Sequence, residues 1–445
     1  MKHIFNPSVS ERVAKLEQLR EYLQKIEAEI VAALHADLKK SEFEAVATEI
    51  GYVQAVLSET IKKLPKWSKK RRVSPALINF PSRDYLLAEP YGKVLIIAPW
   101  NYPFQLSMVP LISAIAAGNS VVLKPSEYAP KTALLVSKIV RENFNVKQAV
   151  AVLGDAEIAA VLLAKRWDYI FFTGSVQTGK LVAQAAAKHL TPITLELGGK
   201  NPCIVDRSAD IELAARRIVW GKFLNNGQTC IAPDFLLVDD SIADSLVANL
   251  KVEIKRMFGD SIQDNPDYGR IVNRRQFLRL KKYLETGVDV IHGGRTDEFD
   301  LYIEPTLVTV SDENSSIMTD ELFGPILPIV TYRSQQELDK WLTRLEKPLA
   351  FYIFSNSEVF IEQNTRQYSA GGICINDTLV QFTNNKLPFG GVGESGYGAY
   401  HGAYSFETFS HRKPIVRRGS WLDISLRYPP YAGKLAALKK LLKLF

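Results

Sequence analysis

Between residues 94 and 199, apolar runs too short for helices keep alternating with segments of helical periodicity. "VLIIAP" (94–99), "SVVLKP" (120–125), "DYIFFTG" (168–174) and "PITLELGG" (192–199) are apolar runs closed by Pro or Gly. Such runs make strands buried on both faces. "PLISAIAAGN", "KTALLVSKIVREN" and "VQTGKLVAQAAAKH" lie between them at helical spacing, and "AVAVLG" adds a further short strand. Strands alternating with helices of about ten or more residues predict an α/β unit with a mostly parallel sheet. The order restarts after Gly199 with "NPCIVD", a long helix "ADIELAARRIVWGKFLNN" and "DFLLVD". A second α/β unit is therefore predicted, joined near "LELGGKN" and running to about residue 377. Residues 9–70 read as helices capped by Ser8 or Ser10. "DYLLAEPYGK" (84–93) reads as a short strand and turn, and 378–411, rich in Gly and aromatics, as loop plus strand.

At 445 residues the chain exceeds what one core supports, so two or three domains are expected. The formal charge of +7 is not a surface-wide field. Residues 412–445 hold nine Lys/Arg and one Asp, which leaves the remainder close to neutral, and "KKLPKWSKKRR" (62–72) holds seven more cations. Basicity confined to two short segments argues against a nucleic-acid partner. Three cysteines, at 203, 230 and 374, form neither a disulfide framework nor a CxxC pair, and the six histidines are scattered. A cytoplasmic setting without a structural metal is expected. The N-terminus lacks a signal-peptide core, and no run approaches ~18 apolar residues.

Four features carry chemistry. "FFTGSVQTGK" sets Gly174, Ser175 and Gly179 between a strand and a helix N-terminus, where backbone N–H groups and the helix dipole favour an anion. Any strand-to-helix turn also favours Gly. "VVLKPSE" places Lys124 and Glu127 past the end of a buried strand, where ligands of open α/β sheets bind. They suit a ribose diol, or are two solvated loop charges. Glu196 stands in the apolar "LELGG", where its carboxyl pKa should rise as a general base near neutrality requires. The alternative there is a buried Glu paired with Lys or Arg. Cys230, in "NNGQTCIAP", sits among small and turn-forming residues that leave its own N–H beside the sulfur. A thiolate there would be nucleophilic, with that N–H available to an oxyanion. Asn101, in "PWNYP", could supply a second donor or be a turn residue. Cys203 and Cys374 read as small core residues.

"PWNYPFQLSMVPLISAIAAGNSVVLKPSE", "FTGSVQTGK", "LELGGKNPCIV", "NNGQTC", "EPTL", "DELFGPILPI" and "PFGGVGESGYG", in that order, resemble the landmarks of the NAD(P)-dependent aldehyde dehydrogenase superfamily. Together they span about residues 90–411. The resemblance implies a Rossmann-like NAD(P)-binding domain (1–72 and 87–195) and an α/β catalytic domain (196–377). It also implies a small β oligomerisation extension (73–86 and 378–416), with a basic tail at 417–445. It assigns Cys230 as nucleophile, Glu196 as base, and Asn101 with the Cys230 N–H as oxyanion donors. Lys124 and Glu127 become adenosine-ribose contacts, and Gly174, Ser175 and Gly179 the pyrophosphate turn. Glu321 and Phe323 of "ELFGP" become the nicotinamide-ribose anchor and its neighbour.

"AYHGAYSFETFSHRKPIV" and "RYPPY" look like the class 3 branch, as does Pro110. That branch implies medium- or long-chain aliphatic or aromatic aldehydes as substrates and a homodimer. By resemblance His401 lies toward the substrate entrance; read alone it is a loop histidine without assigned chemistry. Glu127 should repel a 2′-phosphate, which favours NAD over NADP. A CoA-acylating dehydrogenase is the alternative chemistry, although a base at Glu196 favours water as the resolving nucleophile. A catalytically silent relative is the alternative class, yet all three catalytic positions are filled. The tail "GKLAALKKLLKLF" forms a basic amphipathic helix, with Leu435, Leu438, Leu441, Leu442 and Phe445 on one face. That face could pack on the protein or a dimer partner, or lie peripherally on an anionic membrane.

Overall fold

The computed structural model describes residues 7–76, 79–285, 287–310, 312 and 314–443. The chain opens with α1 (Val9–Lys25), α2 (Glu27–Leu38), α3 (Glu42–Ala45) and α4 (Gly51–Trp67), the last two joined through one π-helical turn, Val46–Ile50. Ser8 rather than Ser10 caps α1, in a reciprocal box with Glu11. Leu16, Leu19, Ile30, Val53 and Leu57 share one core with the strands and helices that follow, so these helices pack on the first sheet.

After β1 (Arg71–Val73) and β2 (Ser82–Pro90) comes the predicted alternation. β3 (Lys93–Ile97), α5 (Gln105–Ala117), β4 (Ser120–Lys124), α6 (Pro130–Asn143) and β5 (Ala149–Ala151) are followed by α7 (Ala156–Leu163), β6 (Tyr169–Thr173), α8 (Val176–Ala187) and β7 (Ile193–Glu196). All of α5 is buried, which explains a helix apolar on every face. β8 (Pro202–Val205), α9 (Ile211–Phe223) and β9 (Phe235–Asp239) open the second unit. It continues through β10 (Val288–His292), β11 (Thr296–Asp297), β12 (Tyr302–Ile303), β13 (Thr306–Val310), β14 (Ile326–Tyr332), β15 (Ala350–Phe354) and β16 (Gly372–Ile375). β17 (Gly396–Tyr397) and β18 (Ser410–Arg418) close the sheets.

The first sheet has the order β17-β7-β6-β3-β4-β5 and the second β10-β13-β14-β9-β8-β15-β16. Both are parallel except for β17 and β10 at their edges. β3 lies between β4 and β6, so the strand order reverses there and opens a crevice at the C-terminal ends. β7 ends at Glu196 and β8 begins at Pro202, so one short link joins the C-terminal edge of the first sheet to the N-terminal edge of the second.

Three sequence expectations need correction. The segment read as a short strand and turn at 84–93 is the long strand β2, which leaves the parallel sheets and pairs over nine residues with β18. The helix predicted through Asn226 stops at Phe223, because Asn225 and Asn226 take left-handed backbone (φ 52° and 54°). His401 is no open loop residue. It is buried, with its ring stacked on Phe389 and touching Tyr52, Phe382 and Tyr400.

Asn119 shows how the first sheet is tied at its far end. Its side chain accepts from Gly92 N (3.0 Å) and donates to Ala114 O (3.2 Å) and Phe409 O (2.8 Å). Replacing it takes the side-chain partner from Gly92 N and Phe409 O, while Ala114 O keeps the backbone N–H of residue 119. Asn119→Ala is expected to cost about 2–4 kcal/mol in urea unfolding; a loss under 1 kcal/mol would show that the ties are dispensable.

Candidate active site

Cys230 lies between the left-handed turn at 225–227 and the start of β9, on the N-terminal edge of the second sheet. The turn demands unusual backbone. Gly227 has φ +70°, and a Cβ there would meet Gly324 O at 2.3 Å. Its neighbours pin the loop from several directions. Gln228 donates to Asn225 O (3.1 Å) and Arg270 O (3.0 Å) and accepts from Val272 N (3.0 Å). Asn201, in the link between sheets, donates to Cys230 O (2.8 Å) and Ala232 O (3.1 Å) and accepts from Ala350 N (2.9 Å). The thiol is partly exposed, and the backbone N–H groups of Cys230 and Ile231 point at the sulfur.

Asn101 follows β3 and meets this loop directly. Its Nδ2 donates to Gln228 O at 3.0 Å, two residues before the cysteine. Tyr102 Oη bonds Thr229 Oγ1 at 2.7 Å. An amide that uses one N–H on Gln228 keeps the second for a ligand beside the sulfur.

Glu196 ends β7, its backbone paired to Gly396 of β17. It is buried, and neither carboxylate oxygen has a hydrogen-bond partner. Loss of water holds its carboxyl well above the ordinary range. Glu321 lies over the same link. A Cβ at Gly198 would meet Glu321 Oε1 at 2.1 Å, so a larger residue there would displace that carboxylate. Burial and the nearby Asp234 charge push Glu321 up to about 8, against the Gly199 N–H it accepts. Burial, with the charges of Glu321 and Glu196 facing the sulfur, pushes the Cys230 thiol up to about 12. Burial and those two carboxyls thus disfavour the thiolate form of Cys230.

A dinucleotide fits the C-terminal edge of the first sheet. Lys124, at the end of β4, is buried and ion-paired to Glu127. Ser175 caps α8 with its side chain on Thr178 N, so the helix N-terminus opens where phosphate would lie. Gly174 follows β6, while Gly179 lets α8 close on Leu197, whose Cδ2 a Cβ would meet at 2.7 Å. Phe323 takes left-handed backbone (φ 53°) and meets Trp100 edge-on at 5.3 Å. Glu321 Oε1, buried and without a partner, is the orphaned acceptor that a ribose hydroxyl would satisfy. Because Glu127 already neutralises Lys124, the pair can offer a carboxylate to a diol or an ammonium to a phosphate. Repulsion by Glu127 alone does not decide between NAD and NADP.

Sequence reasoning missed a second tier of buried charge. Asp234 pairs with Lys200 at 2.7 Å, faces Lys222 at 3.8 Å and accepts from Leu322 N at 3.2 Å. Burial lowers Lys222 to about 8, and its ammonium makes no hydrogen bond among the described residues. A lysine inside the apolar stripe "IVWGKF" was the available signal.

Residues 2–415 match the model of the aldehyde dehydrogenase family. The chain is 44% identical to 4,4'-diaponeurosporen-aldehyde dehydrogenase of Staphylococcus aureus, covering 98% of this chain and 95% of that one. It is 44% identical to aldehyde dehydrogenase family 3 member A2 of Rattus norvegicus (98% and 90% covered). It is 43% identical to the dimeric NADP-preferring aldehyde dehydrogenase of the same species (96% and 95%). Its fold is similar to the substrate-bound state of Staphylococcus aureus AldH, with TM-score 0.96 and 44% identity over 98% of this chain and 95% of that one. The chain belongs to the aldehyde dehydrogenase family, in its class 3-like branch, and oxidises aldehydes to carboxylic acids with NAD or NADP.

Proposed function

We propose that Cys230 is the nucleophile of this dehydrogenase, with Glu196 as hydrolytic base and Asn101 as oxyanion donor. One observation carries the reading: the Asn101 amide is bonded two residues before a thiol that lies in the field of two carboxyls, Glu196 with both oxygens unmatched and Glu321 with one. Sulfur adds to the aldehyde carbon, and the developing alkoxide is met by Asn101 Nδ2–H and the Cys230 N–H. When bound at Glu321, Phe323, Lys124, Glu127 and the Gly174–Ser175 turn, the nicotinamide cofactor supplies the acceptor for the hydride leaving that carbon. The alkoxide collapses to a thioester on Cys230. Glu196 then takes a proton from a water that attacks the thioester carbon, and sulfur departs as the acid forms. The water also supplies the solvation that the Glu196 oxygens lack, which returns that carboxyl toward a useful pKa.

The substrates proposed are medium- and long-chain aliphatic or aromatic aldehydes. The reading draws on the class 3-like relatives and on the aromatic cluster of Tyr52, Phe382, Phe389, Tyr400 and His401, whose Tyr400 lies near Glu196 and Cys230. A homodimer is also proposed. β18 is an open edge of the three-stranded sheet β1-β2-β18 and offers nine residues to a second copy. The tail helix Leu435–Leu442 has no buried residue, and no helix among the described residues can cross a membrane. Phe445 lies outside the described residues. With Leu435, Leu438 and Leu442 exposed beside Lys439 and Lys440, peripheral contact with an anionic membrane on the cytoplasmic side is the reading proposed.

Aldehydes from C2 to C16 plus benzaldehyde, each with NAD and with NADP, test the chemistry. Cys230→Ala should abolish turnover, while Glu196→Gln should lower kcat about 100-fold or more and accumulate thioester in a burst. Free acid, not acyl-CoA, should be the product when CoA is present. Wild-type rates in either variant would sink the assignment.

The thiol's environment gives a pH signature. Above about 8 Glu321 is charged and opposes sulfur ionisation, whereas well below that it holds its proton. Glu321→Gln should therefore speed iodoacetamide labelling of Cys230 several-fold at pH 9, about one pKa unit being tenfold, and leave it unchanged at pH 6. Equal labelling at pH 9 would remove Glu321 from the thiol's surroundings.

Light scattering should give the mass of two chains, and flotation should find the dimer on phosphatidylglycerol vesicles but not on phosphatidylcholine ones. Leu438→Glu with Leu442→Glu should abolish flotation without lowering turnover of short aldehydes. Flotation that survives the change would exclude the tail as the membrane element.

A further inference from the structure

Lys40, Glu44 and Glu49, in "KKSEFEAVATEI" (39–50), look like ordinary solvated helix charges. Folding buries them instead: Lys40 is 1% exposed, Glu49 0% and Glu44 8%. Lys40 Nζ is ion-paired to Glu49 Oε1. A buried ion pair adds little net stability, since desolvation offsets the attraction, so its retention calls for another reason.

The contacts supply one, because beyond the pair itself these side chains reach the segments that flank Cys230. Lys40 Nζ donates to Asn101 O (3.2 Å) and lies 4.0 Å from the centre of the Tyr102 ring, whose hydroxyl bonds Thr229. Glu49 Oε2 accepts from Phe104 N (2.9 Å) and Gln105 N (3.1 Å), the backbone that follows Asn101 into α5. Glu44 accepts the backbone N–H of Asn225. Asn225 Nδ2 in turn donates to Asn101 O (2.8 Å) and Gln228 O (3.2 Å). Glu44 and Glu49 are five residues apart, a spacing that an α-helix turns to different faces. The π turn at Val46–Ile50, with its i→i+5 repeat, brings them to one side. One glutamate then holds the loop after β3 and the other the loop before the cysteine.

We propose that Lys40 and Glu49, the latter carried on this π turn, are together with Glu44 positioning residues that fix the Asn101 peptide and so aim its side-chain amide beside Cys230. They touch no reacting atom. Their effect passes through the Asn101 carbonyl, which Lys40 and Asn225 clamp from two elements remote in sequence. The inference rests on the reading of Asn101 as oxyanion donor.

A mutant cycle tests both and separates them. Lys40→Met with Glu49→Gln removes both charges yet keeps an oxygen for Phe104 N and Gln105 N. This pair should lower kcat about 10- to 100-fold, the range for a misplaced catalytic group, with KM for NAD unchanged. In an Asn101→Ala background the same pair should change kcat by less than about twofold, because the group it aims is gone. Glu49→Gln alone, which leaves the Lys40 ammonium buried without its charge partner, should give a loss at least as large that likewise disappears in that background. Equal fold-losses in both backgrounds, or undiminished kcat in the paired variant, would overturn the clamp while leaving Asn101 in its role. Undiminished kcat in Asn101→Ala itself would bring down the oxyanion reading and the clamp together.

Discussion

The link from Leu197 to Asn201 sets the geometry on which everything else in this molecule depends. A parallel sheet gathers ligands at the C-terminal ends of its strands, and β7 ends there at Glu196. Because β8 starts at Pro202, the second sheet must present its opposite, N-terminal edge to that crevice. The thiol loop before β9 lies on that edge, so carboxyl and sulfur from different sheets face one space. Small size in the link is a requirement. Gly198 lies under the Glu321 carboxylate, and a Cβ at Gly199 would crowd the backbone at Pro348 (3.2 Å to Cα). Asn201 then bolts the link to Cys230, Ala232 and Ala350. A longer or bulkier connection would let the sheets slide, and the sulfur would lose its register with the cofactor edge.

How much of this could be read beforehand depended on whether the signal was local. The α/β alternation was legible because buried parallel strands and amphipathic helices leave different periods in the chain. Cys230, Glu196 and Asn101 stood out because each is chemically at odds with its neighbours: a thiol in a turn, a carboxyl in an apolar strand, an amide between prolines. The structure brings those three into one region, and the cofactor candidates line the adjoining sheet edge. The length of β2 was not legible, since its partner, β18, lies more than three hundred residues away. Nor was the end of α9 at Phe223, where left-handed Asn225 and Asn226 break a sequence that reads as continuous helix. Lys40, Glu44 and Glu49 were the least visible. Their spacing is that of a surface helix, and only the packing of the N-terminal helices on α5 and the loop at 225–230 removes their water.

Two groups of buried charges differ in how they are satisfied, and the second lies where the ligand is proposed to bind. Lys40 with Glu49, and Lys200 with Asp234, have their partners inside the protein, including backbone groups of the loops they support. These are closed networks whose work is geometric. Glu196 makes no hydrogen bond through either oxygen, Glu321 leaves Oε1 unmatched, and Lys222 approaches Asp234 only at 3.8 Å. An unmatched polar atom inside a protein costs about 1–3 kcal/mol, so folding alone gives no reason to keep several in one region. Loss of water is also the leading cause of each shift, raising Glu196, Glu321 and Cys230 and lowering Lys222. All four shifts favour neutral forms, so the resting site carries less charge than its residue types imply. In the function proposed, a water, a ribose hydroxyl or a carbonyl oxygen entering there would restore the polar contacts that burial removed.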